Sequence, residues 1–253
     1  MPGPLAEGVV HLYSVALDAP DERVRACAAM LSPDERERAA RFVFERDRRR
    51  YVVARGALRT VLAGYLDVAP DELELTYGAR GKPSLRAPLR SDWLRFNLAH
   101  SGELAMFAIT CGRELGIDVE WVRPVEEALA IAEYYFCPAE RATLTAAVGA
   151  ARLATFFTYW TRKEAILKAT GEGLGLPLDC VDVAWTQAHA PSPHPVQVRD
   201  LAGADRRFAV VDLQPAHGYI ASLAVEAEAE PPLRLIVEVL HAASQRSAAV
   251  ADR

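Results

Sequence analysis

The chain runs through one order of elements twice, and that repetition restricts its fold more than any single motif does. His11 to Leu17 alternates as a strand does, a helical stretch follows, and Leu31-Ser-Pro-Asp-Glu-Arg36 comes next. About 105 residues later Gly116 to Trp121 again reads as a strand, followed by a helical stretch and Phe136-Cys-Pro-Ala-Glu-Arg141. In both copies a small residue precedes Pro and Glu-Arg follows, which suits a helix with Pro at its first position. A second helix then spans Asp47 to Ala63 in one copy and Arg152 to Thr170 in the other. Each copy closes with a hairpin: Leu94 to Thr110 turns at Ser101-Gly102, and Phe208 to Val225 turns near His217-Gly218. The expected fold is α+β, with two similar halves, residues 1–114 and 115–253, packed about a pseudo-two-fold axis around a cleft. Gln187 to Gln197 is rich in Pro, His and Ala without periodicity and reads as a loop; residues after Ala242 are expected to fray.

Composition narrows the function classes. A formal charge of -5 argues against a dedicated nucleic-acid binder, which is usually strongly basic. The charge is uneven, because nine arginines fall between Arg36 and Arg59. They form either an anion-binding region or a solvated helix face. Cys27, Cys111, Cys137 and Cys180 are far apart and show no ligand spacing, so neither a disulfide framework nor a zinc site is expected. The start lacks a basic and then apolar leader, and no apolar run approaches the roughly 18 residues of a spanning helix. A cytoplasmic protein with no membrane partner is expected.

Four segments carry candidate chemistry. In Gly116-Ile-Asp-Val-Glu120, strand alternation sends Asp118 and Glu120 to one face while Ile117 and Val119 bury on the other. Two carboxylates on one face repel unless something positive lies between them. Oxygen ligands of that kind suit Mg²⁺ or Mn²⁺, and the alternative is a solvated strand end. Trp160-Thr-Arg-Lys-Glu-Ala-Ile-Leu-Lys168 reads as a half-buried helix with Glu164 and Lys168 on one face and Lys163 flanking it. A solvated Glu-Lys pair would give the same spacing. His100, in Phe96-Asn-Leu-Ala-His-Ser-Gly102, lies beside a turn where it either reaches a phosphate or braces the turn. Lys82, in the turn Gly81-Lys-Pro83, is a phosphate contact or a solvated turn residue.

These four segments, in this order and at these separations, together with Gly171-Glu-Gly-Leu-Gly-Leu-Pro-Leu-Asp179, resemble the 4′-phosphopantetheinyl transferases of the large Sfp type. The likeness runs from about Tyr13 to Val225, and that family's pseudo-dimeric fold agrees with the duplication. The resemblance implies transfer of phosphopantetheine from coenzyme A to a serine of an acyl or peptidyl carrier protein, with release of 3′,5′-ADP. It implies Asp118, Glu120 and Glu164 as metal ligands, with Glu164 as a possible base, and Lys168 facing the pyrophosphate with Lys163 on the same face. It also implies contacts from Lys82, His100 and Arg50 to phosphates of coenzyme A.

Two positions depart from many relatives: Ala99 stands where a hydroxyl residue precedes the histidine, and Glu35 where some carry lysine. Arg38 and Arg41 are the expected substitutes, since guanidinium forks bind phosphate well. The amphipathic stretch Val122 to Phe136, with Leu129, Ile131 and Tyr135, is expected to form part of a carrier-docking surface or to pack in the core. A monomer is expected, because two halves already build the cleft. The rival readings are a metal-dependent nucleotide phosphohydrolase and a non-catalytic module that binds coenzyme A or carriers.

Overall fold

The computed structural model describes residues 5–78, 80–86, 93–185, 193–227 and 234–240. The first half runs β1 (Val9–Ala16), α1 (Asp21–Ala29), α2 (Pro33–Ala40), α3 (Glu45–Leu66), β2 (Leu75–Tyr77), β3 (Pro83–Leu85), β4 (Leu94–Ser101) and β5 (Leu104–Cys111). The second runs β6 (Leu115–Trp121), α4 (Ala128–Tyr135), α5 (Pro138–Ala146), α6 (Gly149–Thr170), β7 (His194–Arg199), β8 (Asp205–Leu213) and β9 (Tyr219–Glu226), and β10 (Arg234–Leu240) follows. The fold is α+β, as expected.

The two sheets repeat one pattern. One has the order β10-β1-β5-β4 and the other β6-β9-β8-β7, so β1, β5 and β4 correspond to β6, β9 and β8. Strand alternation separates their faces. Val10, Leu12, Met106 and Ala108 meet Ile117, Val119, Leu223 and Val225 in a buried layer between the sheets. Tyr13, Val15, Phe107 and Ile109 turn the other way onto α3, while Ala224 packs with α6. The molecule is therefore layered helix, sheet, sheet, helix.

The repeat extends to side chains. The Ser32 N–H donates to Glu35 at 3.2 Å at the start of α2, and the Cys137 N–H donates to Glu140 at 2.9 Å at the start of α5. These glutamates then meet a buried cation from the long helix: Arg59 Nε lies 2.6 Å from Glu35, and Lys163 Nζ lies 2.9 Å from Glu140. Each cation also donates to two carbonyls beyond its helix, Pro70 and Leu73 for Arg59, Leu178 and Val181 for Lys163.

Two features depart from the sequence expectation. Part of the segment expected as a loop is strand β7, in which buried Val196 and Val198 alternate with exposed Pro195 and Gln197. Proline is tolerated there because β7 is an edge strand; residues 186–192 lie outside the described set. Second, β10, reckoned with residues 115–253, pairs in parallel with β1 and so completes the first half's sheet. The tail expected to fray beyond Ala242 lies outside the described residues.

Candidate active site

The site forms where the edge strands β4 and β6 of the two sheets meet beneath α6. Strand and helix approach unusually closely at Gly116, where a Cβ would stand 2.1 Å from the Ala165 carbonyl oxygen. Only glycine fits, and that contact sets Asp118 and Glu120 against α6. The Asn97 side chain accepts a hydrogen bond from the Ile117 N–H at 2.9 Å and ties β4 to β6.

Asp118 is buried, and Lys168 Nζ donates to its Oδ1 at 2.6 Å and to the Ile117 carbonyl at 3.2 Å. Its Oδ2 is enclosed without a hydrogen-bond partner. Burial raises the Asp118 pKa, against the lowering effect of Lys168. Burial also raises the pKa of Glu164, and the charges of Asp118 and Glu120 add to that. Glu120 is held by Ser101 Oγ at 2.7 Å, which itself accepts the Trp121 N–H at 3.1 Å. Three carboxylates whose charges oppose one another, one with an orphaned buried oxygen, suit a hard divalent cation. Their donor atoms stand further apart than those of Cys137, Glu140 and Asp182, which lie within 4.8 Å of one another. In that tighter group Glu140 is already paired with Lys163.

A cavity of about 400 Å³ opens beside these groups, lined by Glu164 and Lys168 from one half and by Arg38, Arg55, Lys82 and His100 from the other. Arg38, Arg55 and His100 continue into a neighbouring cavity of about 480 Å³ that includes Arg50 and Trp121. The His100 side chain opens to the cleft, yet desolvation, followed by the charges of Lys168, Arg55 and Arg38, pulls its pKa below the ordinary value. The cleft thus presents a cationic surface to an anion.

The expected site residues divide by placement. Asp118, Glu120, Glu164, Lys168, His100, Lys82 and Arg38 come together around the cleft. Lys82 is engaged there, donating to Glu114 at 2.9 Å. Arg50 lines the second cavity but is held in a two-point pair with Asp18, at 2.6 and 2.9 Å. Arg41 is exposed at a separate cavity and pairs with Glu37. Lys163 is not brought to the cleft: one residue along a helix rotates the side chain by about 100°, and this one is fully buried in the other direction. Glu35, too, points inward to Arg59 rather than toward a phosphate.

Gly116, Asn97, Ser101 and Arg55 were not singled out for these roles by the sequence. Arg55 sits within the arginine-rich stretch, but nothing in the linear pattern separates it from its neighbours. Gly116 opens the carboxylate motif without announcing the close approach that requires it.

Known proteins carry similar sequences. Residues 19–112 match the family described as 4′-phosphopantetheinyl transferase, N-terminal, and residues 114–224 match the 4′-phosphopantetheinyl transferase superfamily. The chain is 38% identical over 216 residues to 4′-phosphopantetheinyl transferase HetI from Nostoc sp., covering 85% of this chain and 87% of that protein. It is 34% identical to a phosphopantetheinyl transferase from Thraustochytrium sp., over 82% of this chain and 75% of the relative. Against 4′-phosphopantetheinyl transferase Sfp of Bacillus subtilis the identity is 29%, over 70% and 78%.

Proposed function

We propose a reaction for this chain from one premise: it belongs to the 4′-phosphopantetheinyl transferase superfamily and is a phosphopantetheinyl transferase. The donor is coenzyme A and the acceptor is a serine hydroxyl of an acyl or peptidyl carrier protein. The serine oxygen bonds to the phosphorus that bears pantetheine, the bond from that phosphorus to the bridging oxygen breaks, and 3′,5′-ADP leaves. The observation that carries this reading is the meeting of Asp118, Glu164 and Lys168 with the cationic wall of Arg38, Arg55 and His100 in one cleft.

Asp118, Glu120 and Glu164 would hold Mg²⁺ or Mn²⁺, whose charge would offset the negative charge that grows on the departing diphosphate. Lys168, already beside these carboxylates, places an ammonium where the leaving oxygen gains charge. Ser101 fixes the orientation of Glu120. Glu164, raised in pKa by its buried position, is the residue to accept the serine proton when it is not acting as a ligand. His100, Lys82 and Arg38 orient the donor from the opposite wall.

Docking of the carrier is assigned to α4 and the strand end before it. Leu129 and Tyr134 are exposed there, as is Trp121 beside the cleft. Ile131 and Tyr135 pack against the core, so they support this surface rather than form it. No helix among the described residues is long and apolar enough to cross a membrane, and both walls of the cleft come from one chain, which supports a monomer.

The deciding experiment is intact-mass analysis of apo carrier proteins incubated with the protein, coenzyme A and Mg²⁺. A gain of one phosphopantetheine, lost with EDTA and with Glu164→Ala, is expected. Rapid carrier-free release of 3′,5′-ADP without transfer would replace this reading with a phosphohydrolase.

A further inference from the structure

Helix α6 crosses the second sheet, and three of its side chains meet three neighbouring strands. Arg162 binds Asp212 of β8 through two hydrogen bonds, at 2.8 and 2.6 Å. Thr161 Oγ1 lies 3.0 Å from Ser222 Oγ of β9. Lys168 reaches Asp118 of β6 at 2.6 Å. The strand register matches: Asp118 is opposite Ser222 across β6 and β9, and Ser222 is opposite Asp212 across β9 and β8. Directly opposed residues of antiparallel strands project to one face, so Asp118, Ser222 and Asp212 form one polar row beneath the helix. Within it Ser222 Oγ lies 3.5 Å from Asp212 Oδ1.

Thr161 and Ser222 are wholly buried, and neither has a part in the reaction as described. The neighbours of Ser222 along β9, Ala221 and Leu223, are buried and apolar. Two buried hydroxyls that satisfy each other add little stability beyond that of an apolar pair of the same shape. What they add is direction, because a hydrogen bond holds its atoms near one distance and angle while apolar surfaces can slide. The close approach of Gly116 to Ala165 fixes how near α6 comes to β6. One point of contact does not fix the roll of a helix. Thr161 stands one turn before Ala165 and two turns before Lys168, on the same stripe, so its bond to Ser222 supplies a second point. Glu164, three residues after Thr161, turns with the same roll.

We propose that Thr161 and Ser222 are positioning residues for the transfer: their hydroxyl pair sets the roll of α6 over the sheet and so holds Glu164 and Lys168 in register with Asp118. The proposal rests on the transferase reading for its reaction and on the polar row for its location. Arg162 anchors the far end of that row, because its guanidinium also donates to the Val183 and Trp185 carbonyls at 2.6 and 2.9 Å. Losing a group that orients metal-holding side chains typically costs about 10- to 100-fold in metal affinity or activity.

Thr161→Val keeps the buried shape without the hydroxyl, Thr161→Ser keeps the hydroxyl, and Ser222→Ala removes the partner. Two readouts are taken well below the melting transition. One is Mn²⁺ affinity by electron paramagnetic resonance, which requires no turnover; the other is kcat for carrier modification at saturating coenzyme A and Mg²⁺. Thr161→Val and Ser222→Ala should each lower both by about 10- to 100-fold, with kcat falling more than KM for coenzyme A rises. Thr161→Ser should recover most of the loss. The double variant should be no worse than the poorer single one, since either substitution breaks the same bond. Unchanged Mn²⁺ affinity and kcat, additive losses in the double variant, or a loss in Thr161→Ser equal to that in Thr161→Val would overturn the proposal. So would a lowered melting temperature with both readouts intact, which would leave the pair a purely structural role. The two substitutions reach the bond from opposite sides, so a misfolded Ser222→Ala leaves Thr161→Val to decide. If the natural chain modifies no carrier, the transferase reading fails while the Mn²⁺ affinities still judge the pair.

Discussion

Lys163 and Lys168 leave the same helix within two turns and meet opposite surroundings. Lys163 is wholly enclosed, with its ammonium bonded to the Leu178 and Val181 carbonyls and paired with a wholly enclosed Glu140. Lys168 is partly open to the cleft and pairs with Asp118. Replacing Lys163 by Met strands a buried carboxylate, which costs about 3–5 kcal/mol. For a chain of this size that lowers the melting temperature on the order of 10 °C. The folded fraction of Lys163→Met should keep its KM for coenzyme A. Lys168→Met should instead lower kcat by roughly 10²- to 10³-fold, the range for removing one group that stabilises developing charge. Thermal melts beside steady-state kinetics decide this. A raised KM at an unchanged melting temperature in Lys163→Met would return that lysine to the donor site. The pairing of Asp118 with Glu120 on one strand face was legible from spacing of two, and that of Glu164 with Lys168 from spacing of four. The direction of Lys163 was not, because adjacency in sequence says nothing about which side of a helix the core occupies.

At the scale of elements, the packing of β6 on α6 is what turns two motifs into one site. The strand bears the carboxylates and the helix bears Glu164 and Lys168, and Gly116 lets the two backbones come close enough to share them. Gly116→Ala should push β6 off α6, since the obstructing atoms belong to the helix backbone and cannot rotate aside. Overpacking of this kind costs about 1–3 kcal/mol or more. Activity should fall at least 10-fold, because the Asp118–Lys168 pair spans the displaced contact. A variant with full activity and an unchanged melting curve would show that the helix and strand yield without strain. Helix starts were readable because proline and the glutamate two residues after it mark them; β7 was missed because a proline- and histidine-rich composition masked a short two-residue alternation.

At the scale of the whole molecule, the halves are repeated but not equivalent. Tyr13 and Val15 stand in β1 where Asp118 and Glu120 stand in β6, 105 residues later, so the carboxylate pair of β6 has no counterpart in β1. Among the described residues the sheets share a layer of twelve buried apolar residues from both halves, and β10 returns from the far end to pair with β1. A fragment of residues 1–114 would expose its side of that layer and lack β10. It should bind a hydrophobic dye and unfold without cooperativity, whereas co-expression with residues 115–253 should restore a single sharp transition. A 1–114 fragment that melts cooperatively on its own would show that each half is an independent folding unit.

The sequence by itself determined the duplicated order of elements and the carboxylate and lysine motifs, because strand and helix periods place side chains on faces through local geometry alone; the family came from the resemblance those motifs carry. Only the tertiary structure decided which faces meet. It placed Lys163 and Glu35 in the core and Asp118 beside Lys168. It also left Arg55 enclosed at the junction of two cavities and carried β10 across to the first sheet. Those outcomes depend on contacts between segments far apart in the chain, where burial and the pairing of charge are settled by packing rather than by spacing.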